Sequence, residues 1–251
     1  MPELVQYQVY KEGYGLIRLN RSEKHNAISS DMAKELLEKI QTAKNTNIKF
    51  LVITAAGERM FCAGGDLNTL HGDLNSDEAF SKLYPMKECL YELVSFPVPT
   101  ICLLNGNALG GGCEIATACD FRIGKEGTKF GFIQSTLGIV PGWGGGVLLY
   151  EKVNPNFAYQ WLVEGNVHGV DYLKKHGWIH NIVASEEWED LNSILQPYLT
   201  KSIEQMKVLK AQFNKKISVL SLSAEMNDEV RQSATLWGSH EHQEAIKRIM
   251  K

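Results

Sequence analysis

Runs of apolar residues that alternate or cluster are separated along this chain by segments with helical spacing, and the two kinds follow one another regularly. Val5–Tyr10 and Gly15–Leu19 alternate well enough to predict two strands joined by a turn at Lys11-Glu12-Gly13. Ser30 is placed to cap a helix whose apolar stripe is Met32, Leu36, Leu37 and Ile40. Phe50–Ala55 and Thr100–Leu104 are short apolar runs that predict buried strands. Between them Phe80–Phe96 has helical spacing that stops at Pro97 and Pro99. The polar stretch Leu70–Asp77 before it reads as a loop or a helix end. A helix ending at Ala118, strands at Phe121–Ile123 and Lys129–Phe132, and a turn into a helix at Gly142-Trp143-Gly144-Gly145-Gly146 come next. From Pro155 onward helices dominate, and only Ile182-Val183 looks extended. The pattern predicts an α/β fold of stacked ββα units with a C-terminal helical region, without internal repeats or low-complexity linkers. The division falls near residue 190, giving a core of 1–190 and a helical region of 191–251. The apolar stripe of that helical tail needs a surface to bury it, which points to assembly with further copies.

Two glycine-bearing segments carry the candidate chemistry. Phe61-Cys62-Ala63-Gly64-Gly65-Asp66 follows the first buried strand, and Asn105-Gly106-Asn107-Ala108-Leu109-Gly110-Gly111-Gly112-Cys113-Glu114 follows the second. Each reads as a strand opening through small residues into a helix, an arrangement that leaves backbone N–H groups without intrahelical partners. Two such groups aimed at one point form an oxyanion hole, and the small residues let a substrate oxygen approach. Either segment alone is equally well explained as a tight turn; together and in this order they indicate a site. The second is not a G-x-G-x-x-G dinucleotide fingerprint, and no G-K-[ST] phosphate loop occurs.

Charge and composition narrow the partners. A net charge of −3 in 251 residues gives no electrostatic footprint for nucleic acid. Lys201, Lys207, Lys210, Lys215 and Lys216 read as a solvated helix face. No apolar run approaches the ~18 residues of a membrane span. Met1-Pro2-Glu3-Leu4 has neither the basic nor the apolar part of a signal peptide, so a cytoplasmic protein is expected. The five cysteines, at 62, 89, 102, 113 and 119, lack C-x-x-C spacing and read as buried reduced thiols.

The paired glycine segments resemble the signature of the crotonase (enoyl-CoA hydratase/isomerase) superfamily, and Leu19-Asn20-Arg21-Ser22-Glu23-Lys24-His25-Asn26-Ala27 is similar to its L-N-R-P-x-x-x-N-A motif, with Ser22 in place of proline. The resemblance spans essentially the whole chain. It implies a crotonase-like spiral of ββα units, assembled as a homotrimer or homohexamer through the C-terminal helices. It implies an acyl-CoA thioester as substrate, or the same acyl group on an acyl-carrier-protein phosphopantetheine. CoA then arrives with the substrate, and neither a separate cofactor nor a metal is expected. Carried over residue by residue, Ala63 and Gly111 donate the two oxyanion N–H groups. Gly64, Gly65 and Asp66 share the substrate-contacting turn, Lys24 lies along the CoA nucleotide, and Trp143 walls the pocket. The chain's end at Lys251 comes earlier than the helix with which many relatives cover a neighbour's CoA.

The departure from the family pattern is in the carboxylates. Glu114 matches one of the two catalytic glutamates of enoyl-CoA hydratases, but the position of the second is Gln134. Hydration divides its proton transfers between two carboxyl groups, and losing one such group typically costs ~10²–10⁴-fold. Decarboxylation of a malonyl-type thioester fits what remains, because loss of CO₂ generates the enolate without a base. Glu114 would then protonate the enolate, and Gln134 would offer a hydrogen bond where a carboxylate would repel the substrate's own. Local likeness at Thr117–Arg122, Gly138–Gly145 and Leu236-Trp237-Gly238 points to the ethylmalonyl-CoA/methylmalonyl-CoA decarboxylase branch of this lyase and isomerase family. The alternatives are an enoyl-CoA isomerase or weak hydratase using Glu114, and a non-enzymatic acyl-CoA-binding scaffold.

Other groups are weaker. His71, Lys82, Tyr84 and Lys87 fall where this family varies its acyl pocket, though each is more simply a surface or packing residue. His240 and His242 face different ways on a helix, where a solvated face is the plainer reading, and Gly177 separates His176 from His180. Cys62 has no histidine beside it to make a nucleophile.

Overall fold

A computed structural model describes residues 3–66 and 74–249 of the chain. The first strands are β1 (Val5–Val9) and β2 (Gly15–Leu19), paired antiparallel from Val5↔Leu19 to Val9↔Gly15. Helix α1 (Ser30–Lys44) follows, then β3 (Leu51–Ala55), β4 (Met60–Cys62) and α2 (Ser76–Val94). The next unit is β5 (Thr100–Leu104), β6 (Asn107–Leu109) and α3 (Gly111–Ala118). After it come β7 (Phe121–Lys125), β8 (Lys129–Gly131), α4 (Gly145–Lys152) and α5 (Pro155–Glu164). The chain continues through β9 (Val167–Gly169), α6 (Val170–Lys175) and β10 (Asn181–Val183). It closes with α7 (Leu191–Leu199), α8 (Ile203–Lys216), α9 (Val219–Leu236) and α10 (His240–Ile249).

Two sheets organise these elements. The larger has the order β1-β2-β3-β5-β7-β10, parallel except for β1, and the smaller has the order β4-β6-β8-β9. The first unit lays both β1 and β2 in the large sheet, and from β3 to α4 each unit lays one strand in the large sheet and the next in the small one before turning into a helix, so successive ββα units wind into a spiral. The large sheet is covered on both faces, which is why its central strands read as unbroken apolar runs. Leu51, Ile53, Cys102 and Leu104 face a core shared with α1, α2 and α3. Val52, Ile101 and Leu103 face a second core closed by Leu195 of α7 and Met206 of α8.

Several expectations shift by a few residues, each for a local reason. Ser29, not Ser30, caps α1, its hydroxyl accepting from the Met32 amide at 3.2 Å. Helix α2 begins ahead of Phe80 because Asn75 and Glu78 form a capping box in which each side chain bonds the other's backbone. It runs through Pro85 and ends before Pro97. Of the loop expected at 70–77, Leu70 and His71 lie outside the described residues, while Ser76 and Asp77 are already helical. The glycine segments are not bare turns, since β4 and β6 pair within them. Strand β9 went unseen because Val-His-Gly has no periodicity of its own and is extended only through its pairing with β8.

The C-terminal helices pack on the rest of the same chain, α9 against α2 and α4, and α10 against the 3₁₀ turn at Gln134–Leu137. The lysine-rich face is solvated except at Lys210, which is buried in an ion pair with Asp120 at 2.6 Å. No helix among the described residues is long and apolar enough to cross a membrane. All five cysteines are buried and unpaired.

Candidate active site

The motif Leu19–Ala27 builds the floor on which the first glycine segment rests. Asn26, fully buried with φ +52°, donates from its amide to the Ala56 and Met60 carbonyls and accepts from the Arg21 amide, each at 2.9 Å. The Arg21 guanidinium bonds the Ala27 carbonyl at 3.0 Å and the Asp66 carboxylate at 2.6 Å. Asp66 is therefore tied into the scaffold of the turn through Arg21. Lys24 is exposed at the end of a 3₁₀ turn, beside a groove of about 560 Å³ bordered by His25, Arg59, Ala63 and Lys125.

The two glycine segments lie side by side. Gly64 has φ +96°, and a Cβ there would stand 3.3 Å from the Gly111 nitrogen and 3.1 Å from the Leu109 carbonyl oxygen. Only glycine accommodates both the conformation and the approach. The Ala63 amide, however, does not point to the site. It donates to the His25 carbonyl at 3.1 Å, so the expectation that Ala63 supplies an oxyanion donor is corrected. Gly64 N–H meets Cys62 Sγ at 3.4 Å. Gly65 bridges Ile28, whose N–H and C=O bond Gly64 and Asp66, leaving the Gly65 N–H itself unbonded among the described residues. Gly111 opens α3, where a first-turn amide has no intrahelical acceptor. Gly65 and Gly111, which border the same cavity, thus each carry an amide without a partner among the described residues.

Glu114, on the first turn of α3, is buried at 2 % exposure. Its Oε1 accepts from Gln134 Nε2 at 2.9 Å, and its Oε2 accepts from the Trp143 and Gly145 amides at 2.9 and 3.0 Å. Burial pushes its carboxyl up to about 7, against the downward pull of these hydrogen bonds. Gln134 begins the 3₁₀ turn, is itself buried, and leaves its Oε1 without a partner. Trp143 is buried with its ring directly over Gly111, where any side chain would collide with it.

Ala63, Gly64, Gly65, Gly111, Glu114, Gln134 and Trp143 all border one cavity of about 200 Å³. Its apolar walls include Leu83 of α2, Leu137, Ile139 and Val140, and the C-terminal region adds Ser233 and Trp237. The cavity therefore draws on both sides of residue 190. Among its described lining residues there is no lysine, arginine or histidine. Of the acyl-pocket candidates, His71 lies outside the described residues, and Lys82, Tyr84 and Lys87 do not border the cavity. Lys87 is instead buried against Glu88 and Ser223 at 3.0 and 3.1 Å. Cys62 has its thiol pushed up to about 12 by burial, which removes it as a nucleophile. His242 is buried, not solvated as expected, and its Nδ1 accepts from Gly238 at 3.2 Å. His176 stacks on Phe157 while His180 Nδ1 accepts from the Arg122 amide. No group of three or more metal-ligating side chains occurs among the described residues.

One residue escaped the sequence reading. Glu229 of α9 accepts from the Gly144 and Val147 amides at 2.8 and 2.7 Å, so Glu114 and Glu229 share out the amides where α4 begins. Burial and then the nearby Glu114 charge push its carboxyl up to about 8. Its place beside the apolar stripe Met226–Val230–Ala234 was the available signal.

The spiral of ββα units with its helical tail is the crotonase fold. An enoyl-CoA hydratase structure from Bacillus halodurans superposes with a TM-score of 0.89 at 22 % identity, over 98 % of this chain and 100 % of that one. The family profile for enoyl-CoA hydratase/isomerase matches residues 10–250, and the chain belongs to that family. Ethylmalonyl-CoA decarboxylase of Gallus gallus is 31 % identical over 249 residues, covering 95 % of this chain and 81 % of that protein. Crotonyl-CoA hydratase of Syntrophomonas wolfei is 32 % identical over 208 residues, covering 81 % and 79 %.

Proposed function

We propose that the protein decarboxylates a malonyl-type acyl-CoA, of the ethylmalonyl or methylmalonyl kind. The observation that carries this reading is a cavity with a single carboxyl group among its described lining residues, Glu114, in which the second acid–base position is a glutamine. The Gly65 and Gly111 amides would hold the thioester oxygen. The bond between the α-carbon and the substrate carboxylate breaks, CO₂ leaves, and the electron pair passes into the thioester as an enolate held by those amides. Protonated Glu114 then delivers its proton to the α-carbon and regains one from solvent. Apolar walls favour this direction, because charge localised on the carboxylate spreads into the enolate and neutral CO₂. The groove that meets the cavity at Ala63, with Lys24 beside it, would take the rest of CoA. Exposed Val208, Leu209, Phe213 and Leu220 on the C-terminal helices fit the expected trimeric assembly. The decarboxylase relatives support the reading, and the crotonyl-CoA hydratase relative keeps weak hydration as the second one.

Incubation with ethylmalonyl-, methylmalonyl-, crotonyl- and 3-enoyl-CoA, followed by mass spectrometry, tests it. The expected result is loss of CO₂ from a malonyl-type thioester with little change in the enoyl substrates. Rapid conversion of an enoyl-CoA alone would overturn the reading.

A further inference from the structure

The start of α4 serves two carboxylates at once. Glu114, from α3, holds the Trp143 and Gly145 amides through Oε2 at 2.9 and 3.0 Å. Glu229, from α9, holds the alternate amides, Gly144 through Oε1 at 2.8 Å and Val147 through Oε2 at 2.7 Å. The run Gly144-Gly145-Gly146 makes room for both. A Cβ at Gly145 would run into Glu114 Cγ, and one at Gly146 would stand 2.7 Å from Glu229 Oε2. Gly144 and Gly145 are chain neighbours, so the two carboxylates they bind lie within about 10 Å of each other.

A helix start carries roughly half a positive charge. It offsets part of one carboxylate, whereas two ionised carboxylates bring two charges to it. Like charges this close oppose each other's ionisation, so such a pair gives up its second proton less readily than either member would alone. We propose that Glu229 is a positioning residue for the acid Glu114: the two carboxyls form one pair across the start of α4, and Glu229 keeps on Glu114 the proton that the reaction uses. Burial pushes both carboxyls up, Glu114 to about 7 and Glu229 to about 8, and the Glu114 charge adds to the rise of Glu229. In a coupled pair that effect belongs to both members. Glu229 does not itself border the cavity, so its influence on the reaction passes through Glu114. The inference rests on the decarboxylase reading only for the use to which the proton is put.

The groups around the pair define the controls. Cys113 of α3 and Cys62 have their thiols driven far up by burial. On α4, burial raises the Tyr150 hydroxyl. Lys152, at the far end of that helix and bonded to the Ala118 and Cys119 carbonyls, is lowered by burial to about 7. On α2, Lys82 is half-buried, and Lys87 pairs with Glu88 while reaching α9 at Ser223. On α9 itself Glu225 and Asp228 are exposed, and Arg231 lies over the Phe80 ring. Lys152 thus titrates in the same region as the pair, and a readout specific to carboxyls is needed.

Infrared spectroscopy of the C=O stretch of protonated carboxyls, followed without substrate from about pH 5 to 10, supplies it and is blind to Lys152. Wild type, Glu114→Gln, Glu229→Gln and the double variant are compared, the last giving the baseline. Each single variant reports the midpoint of one carboxyl beside a neutral amide. The two wild-type midpoints should sum to about one pH unit or more above the sum of the two single-variant midpoints. Glu229→Asp, which keeps the charge, should leave the upper midpoint nearer to wild type than Glu229→Gln does. Equal sums would overturn the proposal. A Glu229→Asp profile that matches Glu229→Gln would also overturn it, since Glu229 would then act by packing alone. If Glu229→Gln does not fold, Glu114→Gln decides, because coupling is reciprocal. The Glu229 midpoint left in that variant should fall below the upper wild-type midpoint, and one that stays there overturns the proposal. Catalysis is not measured, so a protein that shows the coupling yet releases no CO₂ contradicts the decarboxylase reading and leaves this inference standing.

Discussion

Glu114→Gln should lower formation of the protonated product by about 10²–10⁴-fold, the usual loss when a general acid is removed. The substitution is close to isosteric and keeps the local bonding. A glutamine oxygen can accept from Trp143 and Gly145 as Oε2 now does, and its nitrogen can donate to Gln134 Oε1 once the Gln134 carboxamide, whose Nε2 now faces this position, turns over. The variant should therefore fold, and its deficit should be chemical. The pH profile adds a signature that altered packing would not produce. Burial raises the Glu114 carboxyl to about 7, so the acid form predominates below that pH and is lost as pH rises through it. Wild-type kcat/KM should decline on the alkaline side, with Glu229 broadening the step because the two carboxyls titrate as a pair. The residual activity of Glu114→Gln should lack that decline. A variant within a few-fold of wild type, with the alkaline limb intact, would remove Glu114 from the chemistry.

Gly65→Pro should cost roughly 10²–10³ in turnover, the size expected when one oxyanion donor is deleted. Proline removes the N–H and nothing that N–H now bonds within the described chain, and the preceding residue is a glycine that tolerates the restriction. The neighbouring Ala63→Pro is the informative contrast. It breaks the bond to the His25 carbonyl, so its effect should appear in the melting temperature as well as in rate. Turnover lost at 65 with little change in melting temperature would place the donor there. Full activity in a folded Gly65→Pro would remove Gly65 from the oxyanion hole.

Why Ala63 misled the sequence reading is physical. A linear motif shows which residues are small enough to expose an amide, but not which amide a distant carbonyl already occupies. His25 returns to that position only because Asn26, at positive φ, ties the motif to Ala56 and Met60. Glu114 and Gln134 were legible because helix α3 starts where the glycines end and the second carboxylate position has a local signature. Trp143 was placed correctly as a wall, while its amide bond to Glu114 was not foreseeable. Glu229 and the buried Lys210 were lost among charges on helices whose inward faces depend on tertiary packing. The strands of the large sheet were legible from their alternating or apolar runs, though their order was not. The small sheet did not, since three-residue strands carry too little pattern to stand apart from the turns around them.

The central claim is that an enolate-forming site with one carboxyl group among its described walls, and with Gln134, decarboxylates. Gln134→Glu tests it most directly when wild type and variant are assayed side by side on ethylmalonyl-CoA and crotonyl-CoA. The new carboxylate would face the substrate's own across a cavity with no compensating cation among its described walls, while restoring beside Glu114 the pair that hydration uses. Wild type should release CO₂ from ethylmalonyl-CoA, and the variant should lose that activity and gain measurable crotonyl-CoA hydration. Wild-type protein that hydrates crotonyl-CoA rapidly, with Gln134→Glu making little difference to either reaction, would contradict the account.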